Sequence, residues 1–81
     1  LKTVGERISG AGYAISNIDA TVIAQKPKLA PYIPAMRKVV AETLGIQEGQ
    51  VNLKATTEEH LGFSGREEGI AAHAVCLIDA L

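Results

Sequence analysis

At 81 residues, with 8 basic and 9 acidic side chains and a net charge of -1, the chain is at most one domain. It lies near the lower limit of what a single core stabilises unaided, so a partner subunit would help. The charge balance leaves no electrostatic footprint for nucleic acid or an anionic membrane, and no apolar run approaches the roughly 20 residues of a membrane span.

Hydrophobic residues make up 47% of the chain but aromatic ones only 4%, which predicts a core of Ala, Val, Ile and Leu around tight turns. The single cysteine, Cys76, excludes an internal disulfide and fits a reducing compartment, with the cytosol as default. In "LKTVGERISGAG", Leu1, Val4, Ile8 and Ala11 recur at helical spacing, and Gly10 and Gly12 suit a left-handed end. No capping residue precedes this helix and the chain does not open on methionine, so it reads as cut from something longer. Its "GAG" closes a helix instead of opening one after a strand, which excludes a dinucleotide loop.

"SNIDATVIAQ" alternates Ile18, Ala20, Val22 and Ala24 against Asp19, Thr21, Ile23 and Gln25, predicting a strand of about eight residues that stops at Pro27. From Pro31, the spacing of Ile33, Met36, Val40 and Leu44 predicts a helix ending at Gly45, with Met36 in the core and not a ligand. "QVNLKAT" sets Val51, Leu53 and Ala55 against Asn52, Lys54 and Thr56, a second strand. A short turn-helix follows. "GIAAHAVCLIDAL" fits either a helix or a buried strand by periodicity alone. The central β-α-β order implies parallel strands and a right-handed crossover, hence an α/β or α+β fold with a mixed sheet packed on helices.

Two stretches carry polar residues beyond what this architecture needs. "AQKPKLAP" runs off the first strand into a helix, and its Lys26 and Lys28 are either solvated loop residues or, with free helix N–H groups, partners of an anion. "KATTEEHLGFSGREEG" offers Thr56 and Glu59 as a capping box. Alternatively, Arg66 offers a fork for phosphate, and its glutamates are hard-oxygen ligands of the kind Mg²⁺ takes beside substrate phosphates. His60, His73 and Cys76 are a weaker set, because on a strand His73 and Cys76 face opposite ways. No G-x-S-x-G motif or P-loop occurs.

Taken together, "GYAISNIDATVIAQ", "AQKPKLAPYIPAMR" and "VNLKATTEEHLGFSGREEGIAAHAV" resemble the 2-C-methyl-D-erythritol 2,4-cyclodiphosphate synthase family. The similarity runs along residues 1–81 but corresponds to the C-terminal half of that single-domain fold. It implies a mixed sheet on helices in the order α-β-α-β-(short helix)-β, a homotrimer, and a strand for the last segment. It also implies a lyase of non-mevalonate isoprenoid synthesis, converting 4-diphosphocytidyl-methylerythritol 2-phosphate to the cyclic diphosphate with loss of CMP. The setting would be the bacterial cytoplasm or a plastid-type organelle.

By the same resemblance, the loop Ala24, Gln25, Lys26, Pro27, Lys28, Leu29 and Ala30 holds the cytidine, with Ala55 and Thr56 beside it. Thr57 contacts the diphosphate and stabilises the transition state, and Glu59 holds magnesium, manganese or another divalent ion bridging the phosphates. Glu59, Phe63 and Arg66 also count among the substrate-binding positions, and Phe63, Arg66 and Glu68 match a cavity on the trimer axis that takes prenyl diphosphates. The family's zinc ligands, an Asp-x-His pair and a further histidine, match positions upstream of Leu1. Active sites between protomers and an inactive 81-residue piece are therefore expected. The other reading is a non-catalytic cytidine nucleotide-binding or structural oligomerisation module, the latter driven by an exposed sheet edge.

Overall fold

The computed structural model describes residues 1–81. Helix α1, Lys2–Gly10, leads through Gly12 at φ 91° into strand β1, Tyr13–Ile23. A 3₁₀ turn, Ala30–Tyr32, precedes helix α2, Ile33–Leu44, and a second, Glu48–Gln50, precedes strand β2, Val51–Thr56. A one-turn helix α3, Gly62–Gly65, and strand β3, Ala71–Ala80, complete the chain. The last segment is thus a strand, and the sheet is mixed, in the order β2-β1-β3.

The β1–α2–β2 unit is parallel, with Ile18 opposite Val51 and Ile23 opposite Thr56. Parallel neighbours need a crossover, and α2 supplies it. The helical period holds as expected: Ile33, Met36, Val40 and Leu44 are half-buried and Ala41 is buried. Gly45, at φ 68°, ends the helix in the left-handed region that glycine enters without a Cβ clash. Arg37 then ties the helix to the strand that follows, donating from Nε to the Val51 carbonyl at 3.1 Å and from Nη2 to the Glu48 carbonyl at 3.0 Å.

β1 is longer than the alternation predicts, 11 residues beginning at Tyr13. The cause is a bulge at Ser16, where the antiparallel register with β3 slips between Ile15 and Asn17. An extra residue breaks the period of two, so Ile15 and Ile18 stand on one face and the first half escapes a pattern search. Gln50 stabilises this irregularity. Its Nε2 donates to the Ser16 carbonyl at 2.8 Å while its Oε1 accepts from the Gln47 N–H at 2.8 Å.

On the face away from the helices, Asp19 accepts from Lys54 Nζ at 2.8 Å and from Asn52 Nδ2 at 3.2 Å. The hydrogen bond from Lys54 is the main reason the Asp19 carboxyl lies below its ordinary value. A carboxylate lowered on folding adds stability above its unfolded pKa, and that increment fades as pH falls through the folded one.

Very little of the chain is sealed from water. Only five of 81 residues are buried, Ala24, Ala41 and Val51 forming the apolar core, while Val4, Val75, Leu77 and Leu81 are exposed. A radius of gyration of 14.3 Å exceeds the roughly 12 Å expected of a compact chain this long. No helix is long and apolar enough to cross a membrane. Gln50→Leu removes the partners of two backbone groups at once, and is expected to lower stability by about 1–3 kcal/mol in urea denaturation of the full-length protein.

Candidate functional site

Because β1 and β2 are parallel, their C-terminal ends emerge side by side, the place where open α/β sheets bind ligands. The ladder continues one step past β1, where the Ala24 N–H donates to the Thr56 carbonyl at 3.1 Å. Ala24 is buried there, and the two outgoing loops diverge from a shared, fixed point. Between them lies a cleft of about 180 Å³, lined by Ala24, Gln25, Pro27, Lys28, Leu29 and Ala30 on one side and Ala55, Thr56 and Thr57 on the other.

The cleft holds most of the residues singled out for nucleotide binding, though not all. Lys26 reaches away to Glu67, 3.6 Å from its carboxylate, in an exposed ion pair. Arg66 is engaged by Glu68, Nε to Oε1 at 2.8 Å. Phe63 is exposed near Gly69, and Glu59 sits on a turn beyond Thr57. These four do not line the cleft.

The stretch after β2 departs from its predicted form. No helix starts at Thr56, and the Thr56–Glu59 capping box does not form; the helix begins only at Gly62. Instead the Thr57 hydroxyl accepts from the Glu59 N–H at 3.3 Å, and a reverse turn closes through Leu61 N–H to the Glu58 carbonyl at 3.0 Å. Its two central residues, Glu59 at φ 53° and His60 at φ 64°, both lie in the left-handed region. A helix needs negative φ, so Glu59 cannot serve as a capping-box residue. The paired glutamines that do hold a helical turn, Gln47 and Gln50, were missed because glutamine is not a usual first cap residue.

Packing supports this turn from below. α3 places Gly65 directly under His60, where a Cβ on Gly65 would lie 2.4 Å from the His60 carbonyl carbon. Ser64 and Gly65 are buried accordingly. Gln25 reaches over from the opposite loop, its Oε1 accepting from the His60 N–H at 3.2 Å.

No three or more His, Cys, Asp or Glu side chains gather into a metal-binding group. His73 lies opposite Thr21 and Cys76 opposite Ile18, three residues apart on one strand and so on opposite faces. This chain's donor set therefore does not fit zinc. Glu59 is one of several exposed carboxylates outside the three ion pairs, and a lone carboxylate holds Mg²⁺ or Mn²⁺ only together with substrate phosphates.

The YgbB family model matches residues 1–79. The chain is 62% identical, over its full length, to 46% of the 2-C-methyl-D-erythritol 2,4-cyclodiphosphate synthase of Agathobacter rectalis. It is 59% identical, over 96% of its length, to 50% of the enzyme of the same name from Ectopseudomonas mendocina. It thus spans about half the length of the curated relatives it matches. Among solved structures, the CDP complex of IspF from Plasmodium falciparum superposes with a TM-score of 0.91 at 32% identity, covering 98% of this chain and 51% of that one.

In Gly65→Ala, the added methyl would meet backbone, which cannot swing aside. Displacement of the Glu58–Leu61 turn is expected, with a loss of about 1–3 kcal/mol measurable by denaturant titration of the full-length protein.

Proposed function

The chain belongs to the YgbB family, and from that premise we propose that it forms the nucleotide half of a 2-C-methyl-D-erythritol 2,4-cyclodiphosphate synthase active site. The observation that carries this reading is the cleft at the paired strand ends, in a chain that superposes on a relative described as a CDP complex. The complete protein would be a lyase of isoprenoid precursor synthesis. The 2-phosphate of its cytidine-linked substrate attacks the β-phosphorus, one P–O bond forms, and the P–O bond to CMP breaks.

Each residue then has a definable task. Backbone groups of Ala24, Lys28 and Leu29 would recognise the base, in a cleft whose walls Gln25, Pro27 and Ala30 complete on one side and Ala55 and Thr56 form on the other. Such a site reads the rigid edge of a cytosine without needing a charged side chain. Lys28 and the Thr57 hydroxyl would meet the diphosphate, where in-line positioning and stabilisation of charge on the equatorial oxygens supply most of the catalysis. Glu59 would hold a divalent ion, Mg²⁺ or Mn²⁺, whose positive charge when bound offsets that of the phosphates.

Zinc, where the complete enzyme uses it, would be held by residues outside these 81. The exposed Val75 and Leu77, on one face of β3, support a homotrimer in which this surface is covered and sites are shared between protomers. Phe63, Arg66 and Glu68 would then line a prenyl diphosphate cavity on the trimer axis. The bacterial relatives support a cytoplasmic setting. Taken alone, the chain would lack the zinc side and be inactive.

Calorimetry and turnover on the full-length protein test this. CDP binding together with a drop in kcat of about 100-fold in Thr57→Ala, at little changed CDP affinity, is expected. Full-length protein that binds no cytidine nucleotide would contradict the reading.

A further inference from the structure

The turn from Glu58 to Leu61 carries two consecutive side-chain-bearing residues in the left-handed region, Glu59 and His60. L residues enter this region reluctantly, so surrounding contacts must hold it in place. Three successive amides are engaged there. Glu59 N–H is taken by Thr57 Oγ1 at 3.3 Å, His60 N–H by Gln25 Oε1 at 3.2 Å, and Leu61 N–H by the Glu58 carbonyl at 3.0 Å. Two of these acceptors lie in the turn segment itself. The third, Gln25, comes from across the cleft, 35 residues away in sequence.

Gln25 is also half-buried and lines the cleft between Ala24 and Pro27. Its neighbour Lys26 makes the second link between the two loops, the 3.6 Å contact with Glu67. With the two side chains 74% and 47% exposed, that pair is screened by water and salt and adds little. The hydrogen bond from His60 is also exposed, but it is the shorter of the two links, 3.2 Å against 3.6 Å, and its donor is fixed backbone.

We infer that Gln25 is a positioning residue that couples the nucleotide-binding loop to the Thr57–Glu59 turn by holding the His60 N–H. The inference rests on the nucleotide reading above. A ligand that orders the loop around Gln25 also orders the turn bearing Glu59, and a divalent ion held by Glu59 in turn favours the loop. Such coupling is reciprocal: nucleotide tightens the ion as much as the ion tightens nucleotide. Gln25 touches neither reacting phosphate in this scheme; it acts through the His60 backbone.

The test uses the full-length protein with CDP and Mn²⁺ as probes and compares Gln25→Met, which has no oxygen acceptor, with Gln25→Glu, which keeps one. Exchange of the His60 amide without ligand is expected to rise about threefold to tenfold in Gln25→Met. The factor by which Mn²⁺ tightens CDP binding is expected to shrink by a similar amount, about threefold to tenfold. Gln25→Glu is expected to keep exchange of the His60 amide within about twofold of the parent, since it retains the acceptor. If Gln25→Met does not fold, Gln25→Ala carries the same comparison.

An unchanged His60 exchange rate or an unchanged Mn²⁺ response in Gln25→Met, or a His60 amide that exchanges as fast in Gln25→Glu as in Gln25→Met, would each overturn the inference. Where the parent binds CDP and only the variant's response is unchanged, the coupling alone fails. A parent that binds no CDP removes the functional reading and the coupling with it.

Discussion

The parallel pairing of β1 with β2 is the constraint on which everything else depends. A parallel pair brings both C-terminal ends to one edge, and only a long crossover can deliver the second strand to it. Residues 24, 25 and 27 to 30 on one side and 55 to 57 on the other, about 30 positions apart in sequence, become opposite walls of one cleft. The bond from Ala24 N–H to the Thr56 carbonyl extends the ladder to the mouth of that cleft. Burial of Ala24 and Val51, and the Arg37 clasp on the Val51 and Glu48 carbonyls, fix the two strands on the crossover helix.

Beyond the strand ends the chain changes strategy. The reach from Thr57 to Arg66 has no ladder to follow, so it is shaped by side-chain-to-backbone hydrogen bonds and by a glycine that lets one segment lie against another. Left-handed Glu59 and His60 are held by contacts from three directions: Thr57 before them, Gly65 beneath them and Gln25 across from them. Local strain retained in this way belongs to segments whose exact backbone path matters, as at a phosphate or metal site. The fold around it is open, with apolar side chains of α1 and β3 exposed, and its architecture calls for further protein surface.

Much of this was legible in the sequence, and the failures have identifiable causes. The apolar spacing of α2 and the alternation in β2 gave both elements correctly, since each obeys one period from end to end. The first half of β1 was hidden because the Ser16 bulge changes phase midway. β3 could not be told from a helix by periodicity, because both of its faces carry apolar residues; only the family resemblance resolved it. At the candidate site, the family resemblance had singled out the residues that line the cleft, together with Lys26, Glu59, Phe63 and Arg66, which do not line it. The Thr56–Glu59 spacing mimicked a helix cap, and nothing local signals that Glu and His will adopt positive φ. That conformation depends on Gln25 and Gly65, contacts which sequence proximity does not reveal.

The most direct measurement is a crystal structure of the full-length protein with CDP and Mg²⁺. The cytosine is expected in the cleft against the backbone of Ala24, Lys28 and Leu29, with the diphosphate reaching Thr57 and the ion on Glu59. A nucleotide bound elsewhere, with the cleft between the two strand ends empty, would contradict it.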